Sequence, residues 1–309
     1  MRDTLVVLLR SLLACALAAC AGPAAAAAPP QDLRDTGLFA DAAMSVPAPG
    51  VIAFTPQYTL WSDGTSKRRW IRLPPGTSID ASNPDAWVFP RGTRLWKEFA
   101  YGARVETRYI ELGADGQWRF ATYRWSADGR SATLAGERGA QLAVADAPAG
   151  RYALPSRADC LNCHAGARSP VLGFGALQLG ELLPELVRRG LVRRAPPSWR
   201  SAAPQIAAAN EAERAARGYL HANCGHCHFK QGVPVPLVLA QDVAGTPAPE
   251  PASLARALER MASRNPLTQM PPLGTRVIDP QGLAVVQAWS DHLQSRTTSP
   301  STRPSTQEP

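Results

Sequence analysis

Cysteine and histidine in a repeated pattern carry the chemistry this chain can be expected to do. The boxes are Cys160-Leu161-Asn162-Cys163-His164 and Cys224-Gly225-His226-Cys227-His228, and together they hold four of the six cysteines. Two thiols three positions apart can add to the two vinyl groups of one porphyrin. The histidine after the second thiol then falls beneath the iron as its proximal ligand. On that chemistry Cys160, Cys163, Cys224 and Cys227 form thioethers, His164 and His228 ligate iron, and the chain carries two covalently attached haem c groups. Other uses of the pattern fit less well. Paired C-x-x-C in a zinc ribbon recurs after about 15–20 residues, whereas 60 residues separate Cys163 from Cys224. A redox dithiol belongs in a thioredoxin-like βαβ setting that neither box has. Structural disulfides leave the repeated histidine without a purpose.

The elements that must hold the second box read as helices. Residues 207–222 are rich in helix formers and run directly into Cys224. Pro234 and Pro236 then forbid a helix in the loop that follows. Residues 251–263 show Leu254, Leu258 and Met261 on one face. Residues 279–293 start with an Asp279 N-cap and Pro280, and carry Leu283, Val286 and Trp289 on one side. Between these two helices Met270 sits in a loop fixed by Pro271 and Pro272, 42 residues beyond His228. Helix, box, loop, Met-Pro and terminal helix is an order that resembles the class I cytochromes c over residues 205–296. The resemblance implies a mostly α-helical domain in which Met270 supplies the distal thioether, a soft ligand that favours ferrous iron.

The first box has no such surroundings. A loop-like stretch precedes Cys160, and an apolar-periodic segment over residues 177–191 reads as a helix beyond it. Its distal ligand is not fixed by the sequence. His221 is the foremost candidate because it lies one helical turn before Cys224 and can face a neighbouring haem. His226 occupies a variable position of its own box, and His292 suits the C-terminus of the last helix. Met44 and Met261 are the other methionines beyond the leader, and a five-coordinate first haem stays open.

Residues 51–144 read as strands and turns. Strand-like segments cover residues 68–73, 86–89, 107–112 and 117–125, with Asp-Gly turns at Gly64, Gly116 and Gly129. Six of the eight tryptophans fall between Trp61 and Trp125, a set that suits sheet packing more than a ligand groove. No acid–base pair or activated nucleophile stands out there. The expected fold is therefore α+β and multidomain: a β-rich N-terminal domain followed by a mostly α-helical, class I cytochrome c-like domain. Residues 58–76, Leu95 to Phe99, Ser156 to His164 and Ala222 to His228 together resemble a family of exported bacterial diheme c-type cytochromes. That resemblance implies two haems and export, and names neither substrate nor redox partner.

The N-terminus reads as a targeting segment. A short apolar run broken by Arg10 ends in Leu17-Ala18-Ala19-Cys20, which resembles a bacterial lipobox. Cleavage before Cys20 would leave Cys20 lipidated as a membrane anchor; cleavage within residues 24–28 is the alternative. Either places the chain in the periplasm. Loss of residues 1–19 removes two arginines and one aspartate, so the formal net charge of +8 becomes +7. A basic balance can steer an acidic partner, but no nucleic-acid motif accompanies it and no nucleic-acid partner is expected. The predicted layout is a signal peptide at 1–19, an Ala/Pro-rich tether at 20–50, a β-rich domain at 51–155, the first haem-attachment segment at 156–204, the cytochrome c-like domain at 205–296 and a disordered tail at 297–309. The expected activity is single-electron transfer to an unidentified redox protein. The alternatives are a diheme oxidoreductase, peroxidase-like or substrate-oxidising, with an open first haem, and a partner- or glycan-binding module with an appended haem relay.

Overall fold

A computed structural model of the chain describes residues 28–230, 232–233 and 236–298. The leader, Cys15, Cys20 and most of the expected tail lie outside these residues. Among the described residues no helix is long and apolar enough to cross a membrane.

Alternation builds the main sheet. Strands β1 (Val51–Ala53), β2 (Ser66–Arg72), β4 (Arg94–Tyr101), β5 (Ala103–Leu112), β6 (Trp118–Trp125) and β7 (Ala132–Leu134) form a six-stranded antiparallel sheet in that order. Two small pairs flank it: β3 (Ile79–Asp80) beside β10 (Val192–Arg193), and β8 (Ala140–Ala143) beside β9 (Arg151–Leu154). Because side chains alternate between faces, Trp70, Trp96, Tyr109, Tyr123 and Trp125 bury one face. Ile71, Leu95 and Leu112 bury part of the other, against Phe54, Phe174 and Leu186. Tyr109 and Tyr123 meet edge to face, ring centroids 6.3 Å apart. The Asp-Gly turns stand as expected, with φ of 79°, 81° and 67° at Gly64, Gly116 and Gly129. The expected strand at 86–89 is reduced to a single bridge between Asp80 and Val88, since Pro84 and Pro90 bracket it.

Residues 28–50 correct the tether expectation. Leu33, Leu38 and Met44 are each 0% exposed against the aromatic face, and burial of each side chain contributes about 2 kcal/mol. The segment is held further by the Trp96 Nε1–H donating to Thr36 Oγ1 at 2.9 Å.

Helices are α1 (Arg157–His164), α2 (Leu182–Arg188), α3 (Glu211–Asn223), α4 (Pro251–Met261) and α5 (Pro280–Thr298). The expected architecture, a β-rich domain followed by a mostly α-helical cytochrome c-like one, is overturned. The described residues are 25% helix and 20% strand, and their organising element is the six-stranded sheet. The segment 205–296 holds helices of only 13, 11 and 19 residues. Among the described residues no helix or strand lies between Asn223 and Pro251, where glycines and prolines break the pattern. Nor does the chain divide at the expected boundaries. One core cluster joins Phe54, Ile71 and Leu95 to Val171, Leu183 and Trp199, across residue 155. Asn223 Oδ1 accepts from the Trp61 N–H at 2.7 Å, and Asp63 accepts from the N–H groups of Arg276 and Val277 at 2.8 and 3.0 Å.

Candidate functional site

The first box is itself helical. Ser156 caps α1: its Oγ accepts from the Asp159 N–H at 3.1 Å, and Asp159 accepts from the Ser156 N–H at 2.8 Å. This reciprocal capping box starts a helix immediately after Pro155, so Cys160 and Cys163 come to one side, one turn apart. The helix lies over β6. Phe120 packs against the His164 ring with centroids 5.2 Å apart, and the Thr122 hydroxyl lies beside the Cys160 thiol.

Beneath and beside the box opens a cavity of about 520 Å³, within the range of about 300–1,000 Å³ that holds a drug-sized ligand. Cys160, Cys163 and His164 line it, as do His221 and His226 from the second-box region and Pro271 and residues 273–276 from the loop after Met270. The sheet contributes Arg69, Lys97 and Arg108. Burial, then Arg69 and Arg108, hold the Lys97 ammonium well below the usual lysine range; burial alone lowers Arg69 to about 10.

The histidines divide by tautomer. His164 Nδ1 lies 2.6 Å from the Pro170 carbonyl, and His228 Nδ1 lies 3.3 Å from the Leu237 carbonyl. A carbonyl only accepts, so Nδ1 carries the proton in both rings and Nε2 keeps a free lone pair. This is the arrangement of a metal-ligating histidine anchored through its second nitrogen. Burial lowers both pKa values, His164 to about 4, which keeps the rings neutral as ligands require. His221 is the reverse: its Nδ1 accepts from the Gln241 N–H at 3.0 Å. A backbone amide only donates, so the proton of neutral His221 sits on Nε2, and in this arrangement the ring has no lone pair left for iron. His226 faces the cavity, where burial followed by Lys97 and His228 lowers it to about 4. His292 is exposed. Met44 and Met261 are core residues.

The thiols are neutral. Burial raises all four; Cys163 reaches about 11 and Cys224 about 12, with Cys227 the next contribution to each. The contribution of Cys227 to Cys163 brings one thiol of each box near the other. Raised thiols make poor thiolate ligands and poor redox nucleophiles. Among the described residues all four are free, and no three His, Cys, Asp or Glu side chains converge on a metal position.

The second box is built differently. Cys224 caps α3, its N–H donating to the Leu220 carbonyl at 2.9 Å. Gly225 lies so close to the next segment that a Cβ there would sit 2.6 Å from the His221 carbonyl oxygen and 2.9 Å from Ala240 Cα. Cys224 and Met270 share a cavity of only about 20 Å³, room for one water molecule and not a porphyrin. The unpartnered donors Trp61 Nε1, Arg264 Nε, Arg264 Nη1 and Thr275 Oγ1 belong to residues of its wall. Neither cavity is lined by Cys227 or His228, and Gln231, Pro234 and Val235 beyond them lie outside the described residues. So the first box fits a haem in donor type, tautomer and space. The second fits in donor type and tautomer only.

Sequence reasoning missed the cations. Their signal was present in the strand pattern, because Arg69, Lys97 and Arg108 occupy positions that alternate with core aromatics. Compared with known proteins, the chain matches no family, no curated protein and no solved structure.

Proposed function

We propose that the chain is an exported c-type haem protein that passes single electrons. The observation carrying this reading is the cavity of about 520 Å³ whose wall presents two neutral thiols one turn apart beside a histidine with Nε2 free. Cys160 and Cys163 would hold the porphyrin edge, and His164 would bind the iron. Pro170 orients the imidazole through its carbonyl, and Phe120 fixes the ring plane. Bound haem supplies a one-electron couple whose potential follows axial ligation and burial. The apolar walls, Trp87 and Phe174 among them, exclude water from it. A second haem on Cys224 and Cys227, with His228 proximal and Met270 distal, rests on the sequence and on the Leu237 anchor of His228. Export, a periplasmic location, a Cys20 lipid anchor and a redox protein partner complete the proposal.

One observation favours the oxidoreductase alternative. His221, the foremost candidate for the distal ligand of the first haem, carries its proton on Nε2, which leaves the iron open to a small molecule. Haem-to-protein stoichiometry by pyridine haemochrome, on chain matured with cytochrome c assembly machinery, tests the proposal. Two haems per chain are expected. One haem reduces the chain to a monohaem carrier, and none overturns the reading. A high-spin spectrum that shifts on adding cyanide would move the conclusion to the oxidoreductase.

A further inference from the structure

Arg69 on β2, Lys97 on β4 and Arg108 on β5 stand directly opposite one another in register, and Thr122 of β6 ends the row. Like charges placed opposite each other across a sheet repel. Only Arg108 is paired with a carboxylate, Glu106, at 2.6 Å. Arg69 is 8% exposed, and among the described residues neither its guanidinium nor the Lys97 ammonium has a hydrogen bond or an ion pair; Lys97 Nζ lies over the Phe99 ring, 5.0 Å from its centroid. Arg69 and Lys97 both line the large cavity. Enclosed charges without a carboxylate paired to them are costly, so the row is half of an interaction. Trp87 Nε1 and Trp61 Nε1, buried without partners on residues of the same wall, are further donors awaiting acceptors.

The row also has a direction. Cys160 sits at its Thr122 end and His164 against Phe120 of the same strand. At the usual strand spacing Lys97 lies about 10 Å and Arg69 about 14 Å from Thr122. A porphyrin held by its vinyl edge on Cys160 and Cys163 carries its two propionates at the opposite edge. We infer that Arg69 and Lys97 form the carboxylate seat for the haem of the first box, receiving its propionates and fixing which way the ring lies across the sheet. The inference rests on the haem reading of that box.

The sign of the effect separates a seat from a structural role. Without haem, Lys97→Met relieves repulsion, and the full-length apo chain should melt at a higher temperature than wild type. With haem, the same change leaves a propionate uncompensated. Ferric haem is then favoured, and the first haem's reduction potential should fall while the second's stays in place. The two waves of a spectropotentiometric titration are assigned from a chain with Cys160 and Cys163 both changed to Ala. Lys97→Arg keeps the charge and should keep the potential, and Arg69→Met should repeat the fall. An unchanged first potential in Lys97→Met and Arg69→Met, on a chain that carries its haems, overturns the seat and leaves the haem reading standing. A wild-type chain that takes up no haem overturns both. Stabilisation of the haem-loaded chain by succinate that Lys97→Met abolishes would mean that the row serves a free carboxylate, and also overturns the seat.

Discussion

The two boxes are the same five-residue pattern set in opposite surroundings. At the first, a short capped helix lays two thiols and a histidine along the wall of a cavity of about 520 Å³, facing buried cations that lack counter-charges. At the second, the cysteine that caps α3 packs beside Met261 and Met270 around a space of about 20 Å³. Both boxes anchor their histidine through Nδ1 on a carbonyl. The motif therefore supplies donors in both places, and the receptacle comes from elsewhere: from β2, β4 and β5 for the first box, and from no element among the described residues for the second. A cavity is defended by rigid walls, and a closed site by close packing, so different substitutions should break each.

The largest effect is expected at Glu106. It is 0% exposed and accepts from Arg108 at 2.6 Å and from the Tyr152 hydroxyl at 2.6 Å, while its second oxygen has no partner. Glu106→Gln leaves Arg108 enclosed without its counter-charge. Removing one partner of a fully buried pair costs about 3–5 kcal/mol; with the Arg108 side chain 33% exposed a loss of about 2–3 kcal/mol is expected, read as a lower urea midpoint at unchanged slope. Glu106→Gln and Lys97→Met should thus move the apo chain in opposite directions, although Glu106 pairs with the neighbour of Lys97 in the same row. Equal destabilisation by both would mean that the row is ordinary packing.

The closed region is tested at Gly282. A Cβ there would overlap the Tyr219 ring, where α5 crosses the helix that delivers Cys224. Gly282→Ala gains about 1 kcal/mol of helix propensity but overpacks the crossing, and a net loss of about 2 kcal/mol is expected. Haem attachment should fall at the second box and persist at the first, as read from tryptic peptides carrying haem. Equal loss at both boxes would erase the distinction between the two regions.

How much of this was legible in the sequence differs between the same two regions. The second box was preceded by a clear helical pattern, and α3, α4 and α5 lie close to their expected spans, because Asn210, Pro251 and Asp279 are local start signals. What failed there was the inference from element order to an independent helical domain. Contacts such as Trp61 with Asn223 and Asp63 with Arg276 join positions more than a hundred residues apart, and no local pattern encodes them. Around the first box the local signals misled. Pro155 suggested a loop where Ser156 and Asp159 start a helix. Strand β4 went unassigned because alternate positions carry Lys97 and Phe99 beside Leu95, so its cavity-facing side does not read as uniformly apolar. The Ala/Pro-rich composition hid Leu33, Leu38 and Met44, whose partners lie far along the chain.

The smallest effect concerns His221, which α3 of the closed region sends to the wall of the open one. Burial, then the nearby Arg168, lowers its pKa from 6.5 to about 4. The unfolded chain takes up a proton near 6.5 and the folded chain only near 4, so the contribution is whole above about pH 6.5 and is lost as pH falls towards 4. The full gap would amount to about 3 kcal/mol; partial exposure to the cavity reduces this to about 1–2 kcal/mol. His221→Asn retains an acceptor for the Gln241 N–H and removes the titration. The apo variant should therefore match wild type at pH 7.5 and lose less stability by pH 4.5, measured as urea midpoints at the two pH values. A variant as acid-sensitive as wild type would show that His221 keeps an ordinary pKa. Its Nδ1 contact would then be too weak to set the tautomer, and His221 would again be available to an iron in the cavity.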